Sequence, residues 1–272
     1  MKAVLLHQPG VEHQDIQDPE DAQMLEILDW QLARQQHNVL AQAYMQRGVI
    51  VNYVNPDQIP PPNLIFCADL FFMTPEGAIL ARPASTVRAG EERWIARRIT
   101  DLGIPIVRTL RGNAIFEASD AAWLNPRTVL IATGLRTNRE GVDQVAAVLE
   151  EMEVDVIRVG LPHRSMHLMG LLRFLDNDLA IAWPNRVPWD ALEALKETGY
   201  QVIFIPDEKE ATQGGALNFV TLGPREILIA SNNPVTQLFL KSKGVICHTV
   251  RVSELLKAAG GIGCLTGILH RG

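Results

Sequence analysis

The feature that most constrains this chain is a recurrence. Asp69, Glu117, His167 and Ala216 lie 48, 50 and 49 residues apart, and Cys264 follows 48 residues after the last of them. Around each landmark the same order returns: two apolar stretches joined by a turn, a helical stretch, then a third apolar stretch. LIFCADLFFMTPEGAILARP reads as two strands joined at Pro75-Glu76-Gly77, followed by the helical AGEERWIARRITDLG and the strand PIVRTL. NAIFEASDAAWLNPRTVLIATG, NREGVDQVAAVLEEM and VDVIRVG repeat that order, and two further rounds end at YQVIFIP and VICHTV. A period of this size is the signature of supersecondary units that cannot bury their apolar faces alone. The fifth unit is incomplete at the C-terminal end, where GCLTGILHRG supplies a strand that the N-terminal MKAVLL can complete. Closure by the two termini would leave no free sheet edges. The expected fold is therefore an α/β ring of five pseudo-symmetric units forming one domain, residues 1–272, with an open doubly wound α/β sheet as the competitor. Ahead of the recurrent part, the spacing of Leu25, Leu28, Leu32, Val39 and Leu40 predicts one long helix within residues 18–48.

Bulk properties narrow the function. A 272-residue chain with 47% apolar residues has enough material for a large core. Its 31 acidic against 25 basic residues give a net charge of −6, which argues against a phosphate-backbone binder and for a small-molecule partner. No stretch is long and apolar enough to span a membrane, and the apolar run in MKAVLLHQPGVEHQ is too short for a convincing signal peptide, so a cytoplasmic setting is expected. Cys67, Cys247 and Cys264 form no CxxC pair, and each is expected as a free thiol.

In a ring, residues at one phase of the repeat surround a common centre. Asp69, Glu117, His167 and Cys264 are expected in or beside the first strand of their units, converging although they span nearly the last 200 residues. Each has a plain structural alternative: a small buried thiol in GGIGCLTG, a satisfied core histidine in SMHLMG, a turn carboxylate in IFEASD. Together they form a chemical set. A thiol near an imidazolium is an activated nucleophile, and Gly260, Gly261 and Gly263 allow the main chain to come close. His167 can protonate a departing amine and then activate water, while Glu117 can orient its ring. Two carboxylates prefer a planar cation with forked N–H donors. Arg88 and Arg136 each follow a carboxylate by 19 residues, at the passage from strand to helix. From there they can grip a carboxylate, which with the acidic pocket describes an arginine-like amino acid. Cys67 reads as structural, with a place in the pocket wall as the alternative, Cys247 reads as core, and His163 and His248 read as surface or locally bonded groups.

PNLIFCAD, ILARPASTVRAGEE, IFEASD, GLRTNREG, MHLMG and GGIGCLTG together resemble the guanidino-group-modifying superfamily, the penteins, most nearly its dimethylargininase and arginine deiminase branches. The resemblance runs over essentially the whole chain. It implies a five-unit α/β propeller, with Cys264 as nucleophile, His167 as general acid/base, Glu117 as the carboxylate that orients it, and Asp69 as guanidinium ligand. Arg88 and Arg136 match the positions that hold the substrate's α-carboxylate, and Asn63 stands where the dimethylargininases have a substrate-contacting aspartate. Two positions depart from the pattern: Leu168 and Met169 follow His167 where arginine deiminases and amidinotransferases have His-x-Asp, and Ala68 replaces an acidic residue. The implied reaction is hydrolysis through a covalent S-alkylthiouronium, giving citrulline and an amine, with methylated arginine slightly favoured. Arginine deiminase, amidinotransferase, arginine dihydrolase and a non-catalytic binding scaffold remain alternatives. The resemblance implies no metal and no organic cofactor; the expected partner is a guanidino amino acid, with a homodimer left open.

Overall fold

The computed structural model describes residues 1–271. Four times along the chain an antiparallel hairpin is followed by a helix and then by a strand that pairs parallel with the second hairpin strand. The first such sheet joins Phe71–Thr74, Gly77–Leu80 and Ile106–Thr109 around the helix Glu92–Asp101. The second joins Ala121–Asn125, Thr128–Thr133 and Asp155–Gly160 with helix Arg139–Glu151. Leu172–Phe174, Leu179–Ala182 and Gln201–Phe204 form the third, and Val220–Gly223, Glu226–Ala230 and Ile246–Val250 the fourth. In the fifth, the order is shared by the termini: Gly267–His270 pairs antiparallel with Ala3–Leu6, which pairs parallel with Ile50–Tyr53 after helix Trp30–Met45. Five three-stranded sheets result, as the recurrence predicts, but each keeps its own two edge strands, so closure joins the units through their apolar faces and does not remove the sheet edges.

The middle strand of each sheet explains why no unit stands alone. Side chains alternate across a strand, and here both faces are buried. Ala78 and Leu80 pack toward Leu5 and Leu269 of the unit before, while Ile79 packs with Val129 and Ile131 of the unit after. Leu130 and Ala132 then meet Ala180 and Ala182, Ile181 meets Ile227 and Ile229, and Leu228 and Ala230 meet Val4 and Leu6. Each apolar cluster thus lies between two units, and the chain of contacts closes on itself. Polar bonds cross the same seams: Trp123 Nε1 donates to the Met73 carbonyl at 3.0 Å, and the Tyr200 hydroxyl to the Leu124 carbonyl at 2.5 Å.

The long helix predicted from residue 18 is shorter. It begins at Trp30, capped by Asp29, whose carboxylate accepts from the Leu32 N–H at 3.0 Å. Its buried face is Ala33, Gln36, His37, Leu40, Ala41 and Tyr44, whereas Leu25, Leu32 and Val39 are exposed. Leu28 is buried in the same core but precedes the helix, Leu25 is exposed, and residues 18–29 are loop around one short helical turn, Pro19–Ala22. Among the described residues no helix is long and apolar enough to cross a membrane.

His37 in this helix is fully buried, and neither ring nitrogen has a hydrogen-bond partner. Burial, with the positive field of His7 and Arg34, pushes its pKa from 6.5 down to about 3. The unfolded chain takes up this proton below pH 6.5 and the folded chain does not until about pH 3, so stability is complete above pH 6.5 and falls as pH drops through that window. Urea unfolding at pH 7, 6 and 5 should show an acid loss approaching about 1.4 kcal/mol per pH unit from this group, and His37→Leu should remove that part of the slope.

Candidate active site

The landmark residues occupy the turns that lead into the first strands, rather than the strands themselves. Asp69 ends the turn Cys67–Asp69, Glu117 and His167 cap the turns Ala118–Asp120 and Leu168–Gly170, and Cys264 lies in the helical turn Ile262–Leu265. All four line one cleft at the centre of the ring, together with Asn63, Arg88 and Arg136. Gln23, Phe66, Met166 and Ala258 to Gly260 complete its wall. Residues 18–29, read as helix from sequence, thus supply Gln23 to the cleft.

Glu117 is fully buried, with one carboxylate oxygen 2.6 Å from Nε2 of His167 and the other accepting the Ala84 N–H at 3.1 Å. The RTN triplet of GLRTNREG holds it in place. Thr137 Oγ1 accepts the Glu117 N–H at 3.2 Å and donates to Asp120 at 2.7 Å, while Asn138 exchanges two hydrogen bonds with the Ile115 backbone. Asp120 in turn accepts the Leu168 N–H at 2.9 Å, so the backbone after His167 is fixed as well as its ring. Burial opposes a charge on His167, but the fields of Asp69 and Asp120 and the bond to Glu117 outweigh it and push its pKa up to about 9. The ring is therefore an imidazolium at neutral pH, poised as an acid. Burial pushes Asp120 up to about 6, against the pull of His167 and its hydrogen bonds.

Asp69 accepts from Arg88 Nη1 at 2.6 Å and from the Ser119 hydroxyl. Burial works against its charge, yet His167 and Arg88 hold its carboxyl below the usual range. Arg88 departs from the expected carboxylate clamp. It is buried, its Nε donates to Glu91 at 2.9 Å, and Nη2 points to the carbonyls of Phe66 and Asn63 at 3.4 and 3.5 Å. Although it lines the cleft, its donors are engaged, and it buttresses the Asp69 carboxylate. Glu91, pushed up to about 7 by burial, is its second acid. Arg136 keeps a more open position, 3.6 Å from Glu117 and 3.3 Å from Gln23, with Nε unpartnered. Asn63 donates to the Ala22 carbonyl at 2.7 Å, and its buried side-chain oxygen has no partner.

Cys264 is held by a residue the sequence reading missed. Asn218 donates Nδ2–H to Sγ at 2.9 Å and accepts the Cys264 N–H on Oδ1 at 2.9 Å. The glycines make this approach possible: a Cβ at Gly263 would sit 2.7 Å from Asn218 Oδ1, and one at Gly260 would sit 2.2 Å from the Phe66 ring. Asn218 lies two residues beyond Ala216, so the period itself points to this turn. Burial and Asp69 push the thiol up to about 11, while Asn218, the backbone at Gly261 and Arg173 pull the other way. The cleft therefore holds both a neutral thiol and an imidazolium.

Other expectations resolve locally. Cys67 is buried with its thiol toward the Leu64 carbonyl, Cys247 lies near the Val245 carbonyl, and His248 bonds Glu226 at 2.6 Å. His163 is exposed. Met169, expected in place of a substrate carboxylate, lines a different hollow on the opposite side of the ring, as does Ala68. One atom each from Asp69, Glu117 and His167 lie within 4.8 Å of one another, a metal-like cluster. Their oxygens, however, already accept from Arg88, Ser119, Ala84 and His167, a set of N–H and O–H donors that suits an organic cation.

The arginine deiminase family model matches residues 53–188 and 188–271. The chain belongs to the arginine deiminase family. It is a hydrolase of the guanidino-group-modifying superfamily, and its ring is the pentein fold. An N(G),N(G)-dimethylarginine dimethylaminohydrolase of Mycobacterium tuberculosis is 28% identical over 244 residues, covering 89% of this chain and 78% of that protein. A Bacillus subtilis protein, YkgA, is 25% identical over 88% of this chain and 81% of its own length. Among solved structures, a variant of the Pseudomonas aeruginosa dimethylarginine dimethylaminohydrolase complexed with citrulline superimposes with a TM-score of 0.81 at 23% identity, over 97% of this chain and 98% of that one.

The Asn218 contact carries a direct expectation. Alkylation of Cys264 by iodoacetamide in the ligand-free protein should rise about tenfold per pH unit below pH 9, as the small thiolate fraction grows. Asn218→Ala should displace that profile to higher pH, which peptide mapping of the alkylated thiol will show.

Proposed function

We propose that the protein hydrolyses a guanidino amino acid at its central carbon, with N-methylated arginine preferred, giving citrulline and methylamine or dimethylamine. The observation that carries this reading is the Cys264 thiol in one cleft with a Glu117-bound imidazolium and the Asp69 carboxylate. A guanidinium entering beside Asp69 places a positive charge near Sγ, which makes the thiolate accessible and sends its proton to solvent. The thiolate attacks the guanidinium carbon. His167 gives its proton to the nitrogen that leaves, the C–N bond breaks, and an S-alkylthiouronium remains on Cys264. The now neutral ring takes a proton from water as its oxygen bonds to the same carbon. Collapse breaks the C–S bond and returns the thiolate, and the ureido product departs. Arg136, with Nε free, is the ligand for the α-carboxylate; Arg88 acts on the guanidinium end by holding Asp69, and its carboxylate contact would require it to leave Glu91.

Preference for a methylated nitrogen is supported by the wall of the cleft. Its acidic members are Asp69 and Glu117, while Phe66, Met166 and Ala258 offer apolar surface. A methyl group loses nothing there, whereas an extra N–H lacks a third carboxylate. Asn63, with its free oxygen, can accept one N–H from the substrate. The Mycobacterium tuberculosis relative's name points the same way. The matching family description favours free arginine as the second reading, with ammonia as the released amine.

Steady-state kinetics on arginine, monomethylarginine, asymmetric dimethylarginine and agmatine test this assignment. The methylated substrates should have the higher kcat/KM; a clear preference for arginine would move the protein to the deiminase reading with the chemistry unchanged. Arg136→Ala should lower kcat/KM for the amino acids by about 1.5 to 3 kcal/mol of transition-state stabilisation and affect agmatine, which has no carboxylate, much less. Cys264→Ser should abolish turnover on all four while leaving the unfolding midpoint nearly unchanged.

A further inference from the structure

On the side of the ring opposite the cleft lies a larger hollow of about 690 Å³, in the range of small-molecule sites. Its inner end is formed by Ala68, Ser119, Met169 and Gly263, sequence neighbours of the residues that face the cleft. Its side walls are aromatic. Phe72 and Trp123 stack at 5.7 Å, and Phe174 meets Tyr200 edge-on at 5.2 Å.

Arg173 also faces this hollow, and its situation differs from that of Arg88. Arg88 is surrounded by Asp69, Glu91 and Glu117. Arg173 has no ion pair among the described residues: Nη2 donates to the Phe219 carbonyl, the guanidinium lies 5.4 Å from the Phe219 ring centre, and Nε has no partner. Burial, joined by the repulsion of Arg271, pulls its pKa down to about 10 against the opposing fields of Cys264 and Tyr44. The one acid in the lining, Asp176, is engaged by Arg225 at 3.2 Å. A protein with a net charge of −6 thus presents a cationic, aromatic chamber at the far end of its axis.

We propose that this hollow is a second binding site, for a small aromatic carboxylate whose anionic end pairs with Arg173 and whose ring lies along the Phe72–Trp123 wall. The fork of a guanidinium suits a carboxylate, and offset stacking suits a flat apolar body.

Titration calorimetry with 2-naphthoate and its neutral analogue 2-naphthalenemethanol tests it on the full-length protein. Naphthoate should bind at least about tenfold more tightly than the alcohol, a difference of about 1.4 kcal/mol. Arg173→Met should remove that preference and Arg173→Lys should retain part of it, while Arg136→Ala, in the other cleft, should leave it intact. Absence of naphthoate binding, equal binding of acid and alcohol, or a preference that survives Arg173→Met would overturn the proposal. So would a preference lost in Arg136→Ala, because the anion would then sit in the amino-acid cleft.

Discussion

Until Gly267–His270 pairs antiparallel with Ala3–Leu6, the fifth sheet lacks its third strand and Cys264 has no fixed relation to His167. Closure does more than complete a sheet. It brings the last unit's turn, Ile262–Leu265, against the turn that carries Asp69, and it completes the cluster in which Val4 and Leu6 meet Leu228 and Ala230. Because each apolar cluster is shared by neighbouring units, no sub-assembly can hold the cleft in shape. The same logic governs the polar groups. Ser119 bonds Asp69, His167 bonds Glu117, Asp120 bonds Leu168 N–H, and Asn218 bonds Cys264, each reaching about one repeat along the chain. The functional residues are thus held by the seams between units, which are the parts of a ring least free to move separately.

The cleft concentrates opposite charges where water is scarce. Buried carboxylates and cations are tolerated because they satisfy one another: Arg88 against Asp69 and Glu91, His167 against Glu117. That arrangement stabilises the imidazolium and leaves the thiol protonated. A bound guanidinium changes the balance, because it adds a positive charge beside Asp69, the same carboxylate that helps to suppress the thiolate. In the proposed mechanism, substrate binding and nucleophile activation are therefore coupled through one residue. A neutral ligand of the same shape would fill the cleft without awakening the thiol.

How much of this could be read from sequence followed from periodicity. The five sheets and their closure were legible because apolar strands and turn residues recur with little drift, and the convergence of Asp69, Glu117, His167 and Cys264 followed from their phase. Asn218 was hidden by two residues of drift, which placed the landmark on Ala216. The partners of Arg88 were hidden for a different reason: Glu91 lies three residues on in VRAGEE, and only the turn Thr86–Arg88 and the burial behind it make the two meet. Residues 18–29 carried leucines at near-helical spacing, but Asp29 caps the helix that follows; Leu28 packs into the same core from outside the helix, and Leu25 is exposed. Met169 showed a limit of motif comparison, since two residues beyond His167 the backbone has already turned toward the far hollow.

The central claim is that Cys264 attacks the guanidinium carbon and carries the intermediate. Acid-quenched turnover with an excess of asymmetric dimethylarginine, followed by intact-mass and peptide analysis, tests it most directly. A transient mass increase equal to the substrate less dimethylamine, mapped to the peptide containing Cys264, is the predicted result. Product formation with the adduct on another residue, or turnover retained by the Cys264→Ser protein, would contradict the account.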